Sequence, residues 1–97
     1  MADVHIESEQ EIESGWRFAV RVESGAPGRA DNAFTLTLSW ADYNHWSSGT
    51  EPPSEIARDV IEFVLARRSA ADLPTRFDAA TIRRWLPQID QALGRWR

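Results

Sequence analysis

Ten consecutive residues, Trp40 to Gly49 (WADYNHWSSG), place a tyrosine, a histidine, an aspartate, an asparagine and two serines around two tryptophans. Asp42, His45, Ser47 and Ser48 are side-chain types used in acid–base and nucleophilic catalysis. That chemistry needs a base within hydrogen-bond reach of the nucleophile and a third group that orients the base. Residues this close on one short turn rarely converge so, and no glycine motif of the oxyanion-hole kind accompanies them. Asp42 and His45, three apart, could supply two metal ligands. A third is needed, and His5, the other histidine, falls on a distant strand in the sequence pattern.

The spacing instead reads as a corner that closes a core. Ser39-x-x-Asp42 resembles a capping box, with Asp in place of the usual Glu or Gln. Gly49 would end the helical turn that Ser39 starts. On such a turn Trp40, Tyr43 and Trp46 share one face, with the Tyr43 hydroxyl and the indole N–H groups at its wet rim. Trp40, Tyr43, His45 and Trp46 are therefore candidates for partner or ligand contact. No catalytic, cofactor-binding or metal-ligating residue is assigned.

The elements that must hold this corner follow from periodicity. In the first forty positions apolar residues fall on even numbers: Val4, Ile6 and Ile12, then Trp16, Phe18, Val20 and Val22, then Phe34, Leu36, Leu38 and Trp40. Period two is the pattern of strands with one buried face. The segment Glu13-Ser14-Gly15 predicts a three-residue hairpin loop with Gly15 in the left-handed region. That register sets Ile12 opposite Trp16 and Ile6 opposite Val22, and pairs Glu11 with Arg17 and Glu7 with Arg21 on the outer face. SGAPGRADNA, residues 24–33, reads as a flexible loop.

Beyond Gly49 the period becomes helical. Ile56, Val60, Phe63 and Val64 form a stripe widened by Ala57, Ile61 and Leu65. Pro52 and Pro53 suit the start of that helix, and Arg67 and Arg68 its end. Asp78 is a good N-cap for a second helix whose stripe is Ile82, Trp85, Leu86, Ile89 and Leu93. Pro87 lies inside that stripe and should kink the helix or split it after Leu86. The expected fold class is α+β: a single domain over residues 1–97, with a three-stranded antiparallel meander covered on one face by two helices, in the order βββαα. Strand one is an edge guarded by glutamates. Strand three, AFTLTLSW, carries no charge or proline, so its edge must be covered by the same chain or paired with another.

Composition narrows the functions. Ninety-seven residues suffice for one modest core, burying roughly 65% of the unfolded surface. With 42% hydrophobic residues, five Trp and four Phe, the chain has the composition of a folded domain. No cysteine is present, which excludes disulfides, thiolate zinc sites and thiol nucleophiles. No lysine is present either, which excludes a Schiff-base or phosphate-loop lysine. The opening ADVHIESEQE has no apolar run, and no segment is long enough to span a membrane, so a soluble cytoplasmic protein is expected.

The net charge of −4 is uneven. Residues 1–55 carry three Arg against ten acids (−7), and residues 56–97 carry eight Arg against five acids (+3). Mutual attraction of the two halves on folding accounts for this asymmetry. The alternative is a nucleic-acid contact through Arg76, Arg83, Arg84, Arg95 and Arg97, with Trp96 stacking on a base. The overall acidity and the absence of a nucleic-acid motif make helix solubility the better reading. The alternate acids Glu7, Glu9, Glu11 and Glu13 read as a solvated strand face rather than a cation site.

The run LSWADYNHWSSGTEPPSEIARDVIEFVL followed by RFDAATIRRWLPQID resembles a family of small bacterial proteins grouped as uncharacterised. Shared features are a strand ending in an aromatic, an aromatic turn with Gly, a Pro-led helix and a Phe-Asp-led helix with Arg and Pro. The resemblance covers most of the chain and implies a stand-alone bacterial domain, without an activity or a catalytic residue. The functional expectation is a non-enzymatic domain acting by protein–protein contact, as a homodimer or with another protein, with no cofactor. A nucleic-acid role, and a small enzyme centred on residues 42–48, are the alternatives.

Overall fold

The computed structural model describes residues 3–23, 32–47 and 49–93. Of the expected loop at 24–33, residues 24–31 lie outside them, and Asn32 and Ala33 are strand instead, paired with Val22 and Arg21. Ser48, Arg95, Trp96 and Arg97 also lie outside the described residues. The chain runs β1 (Asp3–Ile12), β2 (Gly15–Glu23), β3 (Asn32–Ser39), α1 (Trp40–Trp46), α2 (Pro53–Leu65), a 3₁₀ turn (Ala70–Asp72), β4 (Arg76–Asp78), α3 (Ala79–Trp85) and α4 (Ile89–Leu93). No helix among the described residues is long and apolar enough to cross a membrane.

The α+β class holds, but the sheet is four-stranded and mixed, in the order β1-β2-β3-β4. β4 lies parallel to β3, with Thr35 opposite Arg76, Leu36 opposite Phe77 and Thr37 opposite Asp78. The Thr35 N–H also donates to the Thr75 carbonyl at 2.7 Å. The edge of β3 that the sequence left open is thus covered over Thr35–Thr37 by the chain itself. A three-residue strand is too short to show period two, and its Asp78 doubles as the N-cap of α3, donating no strand signal of its own.

The inner face of the sheet is built as the alternation requires. Phe18, Val20, Val22, Phe34, Leu36 and Leu38 are buried against Ile56, Val60, Ile61, Val64, Ile82 and Ile89 of the helices. Each side chain of this size contributes about 1.5–3 kcal/mol on full burial. α2 buries its stripe, and Arg67 closes its end by donating to the Phe63 carbonyl while lying 3.8 Å over the Phe63 ring. The last helical stretch is divided at Pro87, between Trp85 and Ile89. Trp85, placed in the buried stripe by its spacing, is 40% exposed and leans on Phe77.

The first hairpin differs from its expected register. Ile12 lies opposite Gly15 and Glu11 opposite Trp16, so the connection is the two residues Glu13 and Ser14. A bulge between Ile6 and Ser8 shifts the pairing once more, placing Ile6 opposite Val20 and Val4 opposite Val22. Because side chains alternate, the bulge reverses which residues of β1 face inward. Val4 and Ile6 lie on the helix side at one end, whereas Glu9 and Glu11 occupy that side at the other, beyond the core. The expected Glu7–Arg21 pair forms, at 2.8 Å. The expected Glu11–Arg17 pair does not, because Gln10 stands opposite Arg17.

Gly15 is not a loop residue. It lies in β2 between Ile12 and Ser39, and a Cβ there would lie 2.0 Å from the Leu38 carbonyl oxygen. Close approach of two backbones, together with its φ of +156°, requires glycine. Gly15→Ala should therefore destabilise the protein by about 2 kcal/mol or more. Gly49→Ala, at φ +102° but with nothing within 4 Å of the new carbon, should cost only about 1 kcal/mol. Urea midpoints measure both, and equal losses at the two positions would refute the backbone-approach explanation.

Candidate functional site

α1 begins where β3 ends, and Ser39 makes the junction. Its hydroxyl accepts from the Asp42 N–H at 3.1 Å, the first half of the expected capping box. The reciprocal half is replaced, because the Asp42 carboxylate turns towards α3. The helix ends at Ser47 in extended conformation rather than at Gly49, and the Gly49 N–H donates to the Ser47 hydroxyl at 2.9 Å.

The three aromatic residues of α1 lie on a gradient of burial. Trp46 is fully buried, Tyr43 half-buried and Trp40 44% exposed. Trp40 and Tyr43 both pack on Trp16 of β2, with ring centroids 4.2 and 5.1 Å away. The Tyr43 hydroxyl donates to the Glu51 carbonyl. One face of the helix therefore closes the end of the sheet with Trp46 and shelves Trp40 outward on Trp16.

The polar residues of the turn belong to a network that reaches across the helices. The Trp46 indole N–H donates to Asp90 Oδ1 on α4 at 2.9 Å. Arg83 Nε on α3 donates to the same oxygen at 3.0 Å, and His45 Nε2 lies 3.4 Å from it. Arg83 Nη2 is 3.0 Å from Asp42 Oδ1, though off hydrogen-bond alignment, so that contact is coulombic. Asp42 is 4% exposed, and its Oδ2 has no hydrogen-bond partner among the described residues. The Arg83 guanidinium also lies 5.1 Å from the Trp46 ring. Burial raises the pKa of the Asp90 carboxyl. Hydrogen bonds from Trp46 and Arg83, with the charges of Arg83 and His45, outweigh that effect and hold it below the ordinary aspartate value.

This arrangement binds helices together rather than assembling a reacting centre. Asp42 and His45 are drawn to different partners, Arg83 and Asp90. Ser47 donates to a Glu51 carboxylate oxygen at 3.1 Å. Tyr43 faces Trp16 while His45 faces α4. Of the arginines proposed for nucleic-acid contact, Arg83 is engaged as above and Arg84 with the Thr81 hydroxyl at 3.5 Å, Arg76 is exposed, and Arg95 and Arg97 lie outside the described residues.

Asp90 and Arg83 are the members that sequence reasoning missed as a site. Their spacing of seven places them on one side of the last helical stretch, which is a signal. The link to Asp42, 41 residues earlier in the chain than Arg83, leaves no local pattern. A second cluster, Asp3, His5 and Glu23 at the far end of the β1–β2 hairpin, brings three potential metal-ligand atoms within 4.8 Å of one another. It lies at the surface, and two of its members already have partners: His5 Nε2 lies 3.0 Å from Glu23, and Arg21 3.6 Å from the same carboxylate oxygen.

The fold and the corner define a small α+β domain with a one-sided mixed sheet and a charged clasp between its helices. In comparison with known proteins, the chain matches no family model, no curated protein and no solved structure.

The clasp predicts a sign for the pH dependence. A carboxyl held low in the folded state stabilises the protein fully above its unfolded pKa of about 3.9. That stabilisation is lost as pH falls through the folded value. Wild-type protein should therefore lose stability on acidification below about pH 4 more steeply than Asp90→Asn. Parallel curves from thermal melts between neutral and acid pH would remove Asp90 from this role. At neutral pH, Arg83→Ala strands the Asp42 carboxylate in the interior. Allowing for the partial exposure of Arg83, the loss should be about 2 kcal/mol in urea unfolding.

Proposed function

We propose that the domain is non-enzymatic and acts by protein–protein contact through its aromatic corner, with a second copy of the chain as its partner. The observation that carries this reading is Trp40: a tryptophan 44% exposed, held in place by stacking on Trp16. A fixed, half-exposed indole loses little freedom on binding and supplies a large contact area, which is why such residues dominate interface energetics.

The chemistry around Trp40 favours a like partner. Ser39, Ala41, Tyr43 and Asn44 carry no charge, so two copies of a −4 protein can meet here without opposing charges at the centre of contact. Aromatic surface is self-complementary, as an isologous two-fold interface requires. Glu11, opposite Trp16, places a carboxylate at the rim, where charge costs little. Coverage of β3 by β4 closes the route of strand-to-strand pairing along Thr35–Thr37, which leaves the corner as the favoured surface.

Native mass spectrometry and sedimentation at the highest soluble concentration test the proposal. A dimer is expected, and Trp40→Ala should weaken it about thirtyfold while the monomer stays folded, with a melt lowered only by the loss of the Trp16 contact, about 1–2 kcal/mol. A strict monomer, or a dimer indifferent to Trp40→Ala, would refute it.

A further inference from the structure

The face of the sheet turned away from the helices carries a second feature, unrelated to the corner. Thr35 and Thr37 point to it from β3, Arg17 from β2 and Arg76 from β4. Arg17 is the cross-strand neighbour of Thr37, and Arg76 that of Thr35. The two threonines are successive residues on one face, about 7 Å apart. The arginines therefore sit diagonally across β3, each with a side chain long enough to reach the centre. These four residues line a cavity of about 290 Å³.

What marks the cavity is its uncompensated charge. Guanidinium groups stay protonated at any physiological pH, and two on one face repel each other. Among the described residues neither Arg17 nor Arg76 makes an ion pair or a hydrogen bond through its side chain. Three neighbouring carboxylates are directed to other partners or to the other face. The register of the first hairpin sets Gln10, not Glu11, opposite Arg17. Glu7, on the same side of the sheet, is held by Arg21 at 2.8 Å. Asp78, two residues after Arg76, accepts from the Ala80 N–H at 2.9 Å as the cap of α3. In a protein with fifteen acids and eleven arginines, two unpaired arginines flanking two hydroxyls form a positive recess on an acidic molecule.

We propose that this recess binds a small oxyanion of the phosphate class, as free phosphate or as a phosphate monoester. The two guanidinia would each offer a planar pair of donors to its oxygens, and the Thr35 and Thr37 hydroxyls would donate to the remainder. The volume lies at the lower limit of ligand pockets, which suits a phosphoryl group with a small substituent and not an extended polymer. The site stands on the opposite face of the sheet from Trp40, so it can be occupied whether or not the corner pairs with a second copy.

Isotope-labelled protein titrated with inorganic phosphate at constant ionic strength provides the test, followed by nuclear magnetic resonance. Saturable shifts are expected at Arg17, Thr35, Thr37 and Arg76, with glycerol phosphate as the second probe. Tighter binding of glycerol phosphate assigns the site to a monoester, and equal or weaker binding assigns it to the free anion. Arg17→Gln and Arg76→Gln, both at exposed positions, should each lower affinity about ten- to hundredfold without shifting the thermal melt. Shifts that do not saturate, or that survive both substitutions, overturn the proposal. So does binding confined to an oligonucleotide, which would indicate a polyanion surface instead.

Discussion

Burying the whole of Trp46 places a demand that much of the helical layer answers. An indole N–H removed from water must find an acceptor, since leaving it unpaired costs about 1–3 kcal/mol. Asp90 provides that acceptor on α4, but a partly covered carboxylate then needs a positive partner of its own. Arg83 meets that need from α3, and its second nitrogen reaches the buried Asp42 on the helix that carries Trp46. One apolar decision, filling the end of the core with the largest side chain available, thus generates a charged clasp across α1, α3 and α4. The clasp in turn explains why α3 and α4 are broken at Pro87 without separating: each is tied to the same oxygen cluster.

The two faces of the sheet follow different physics. The inner face is a close-packed apolar layer, and its polar groups occur where an aromatic or a helix end requires them. The outer face carries threonines, alanines and arginines with water on the other side. It has no packing to satisfy, so its charges are constrained only by their neighbours across the strands. Those neighbours are set by the two-residue turn, which places Gln10 opposite Arg17, and by the bulge between Ile6 and Ser8, beyond which Glu7 reaches Arg21. The length of one turn and a single inserted residue on the edge strand therefore set which charges β1 offers to the open face.

The sequence disclosed what is periodic and local. Even-numbered apolar residues marked β2 and β3, the stripe from Ile56 to Leu65 marked α2, and Ser39 and Asp78 marked helix starts that the structure retains. Pro87 marked the break. What it did not disclose depends on distance or on a one-residue count. A hairpin of two residues and one of three both use Glu-Ser-Gly, and charge pairing at Glu7–Arg21 is compatible with either once a bulge intervenes. β4 is hidden because Arg76-Phe77-Asp78 is shorter than any pattern that would reveal it. Within the corner, Tyr43 and Trp46 were legible as packing residues. Asp42 and His45 could not be placed, because the partners that fix them stand near the far end of the chain.

The uneven charge of the chain gains a specific meaning from these contacts. Attraction between an acidic first half and a basic second half predicts many cross-pairs, yet the C-terminal arginines are used in several ways. Arg83 spans the halves by joining Asp42 to Asp90, while Arg67 folds onto its own helix and the ring of Phe63. Arg76 is carried by β4 to the side of the sheet where the N-terminal strands present threonines rather than acids. General attraction would have paired it with one of the glutamates of β1, and the placement of β4 beyond β3, on the opposite edge from β1, prevents this. Topology has overruled electrostatics at that position. A charge kept apart from its natural partners by the order of the strands is one that remains able to meet an anion from outside.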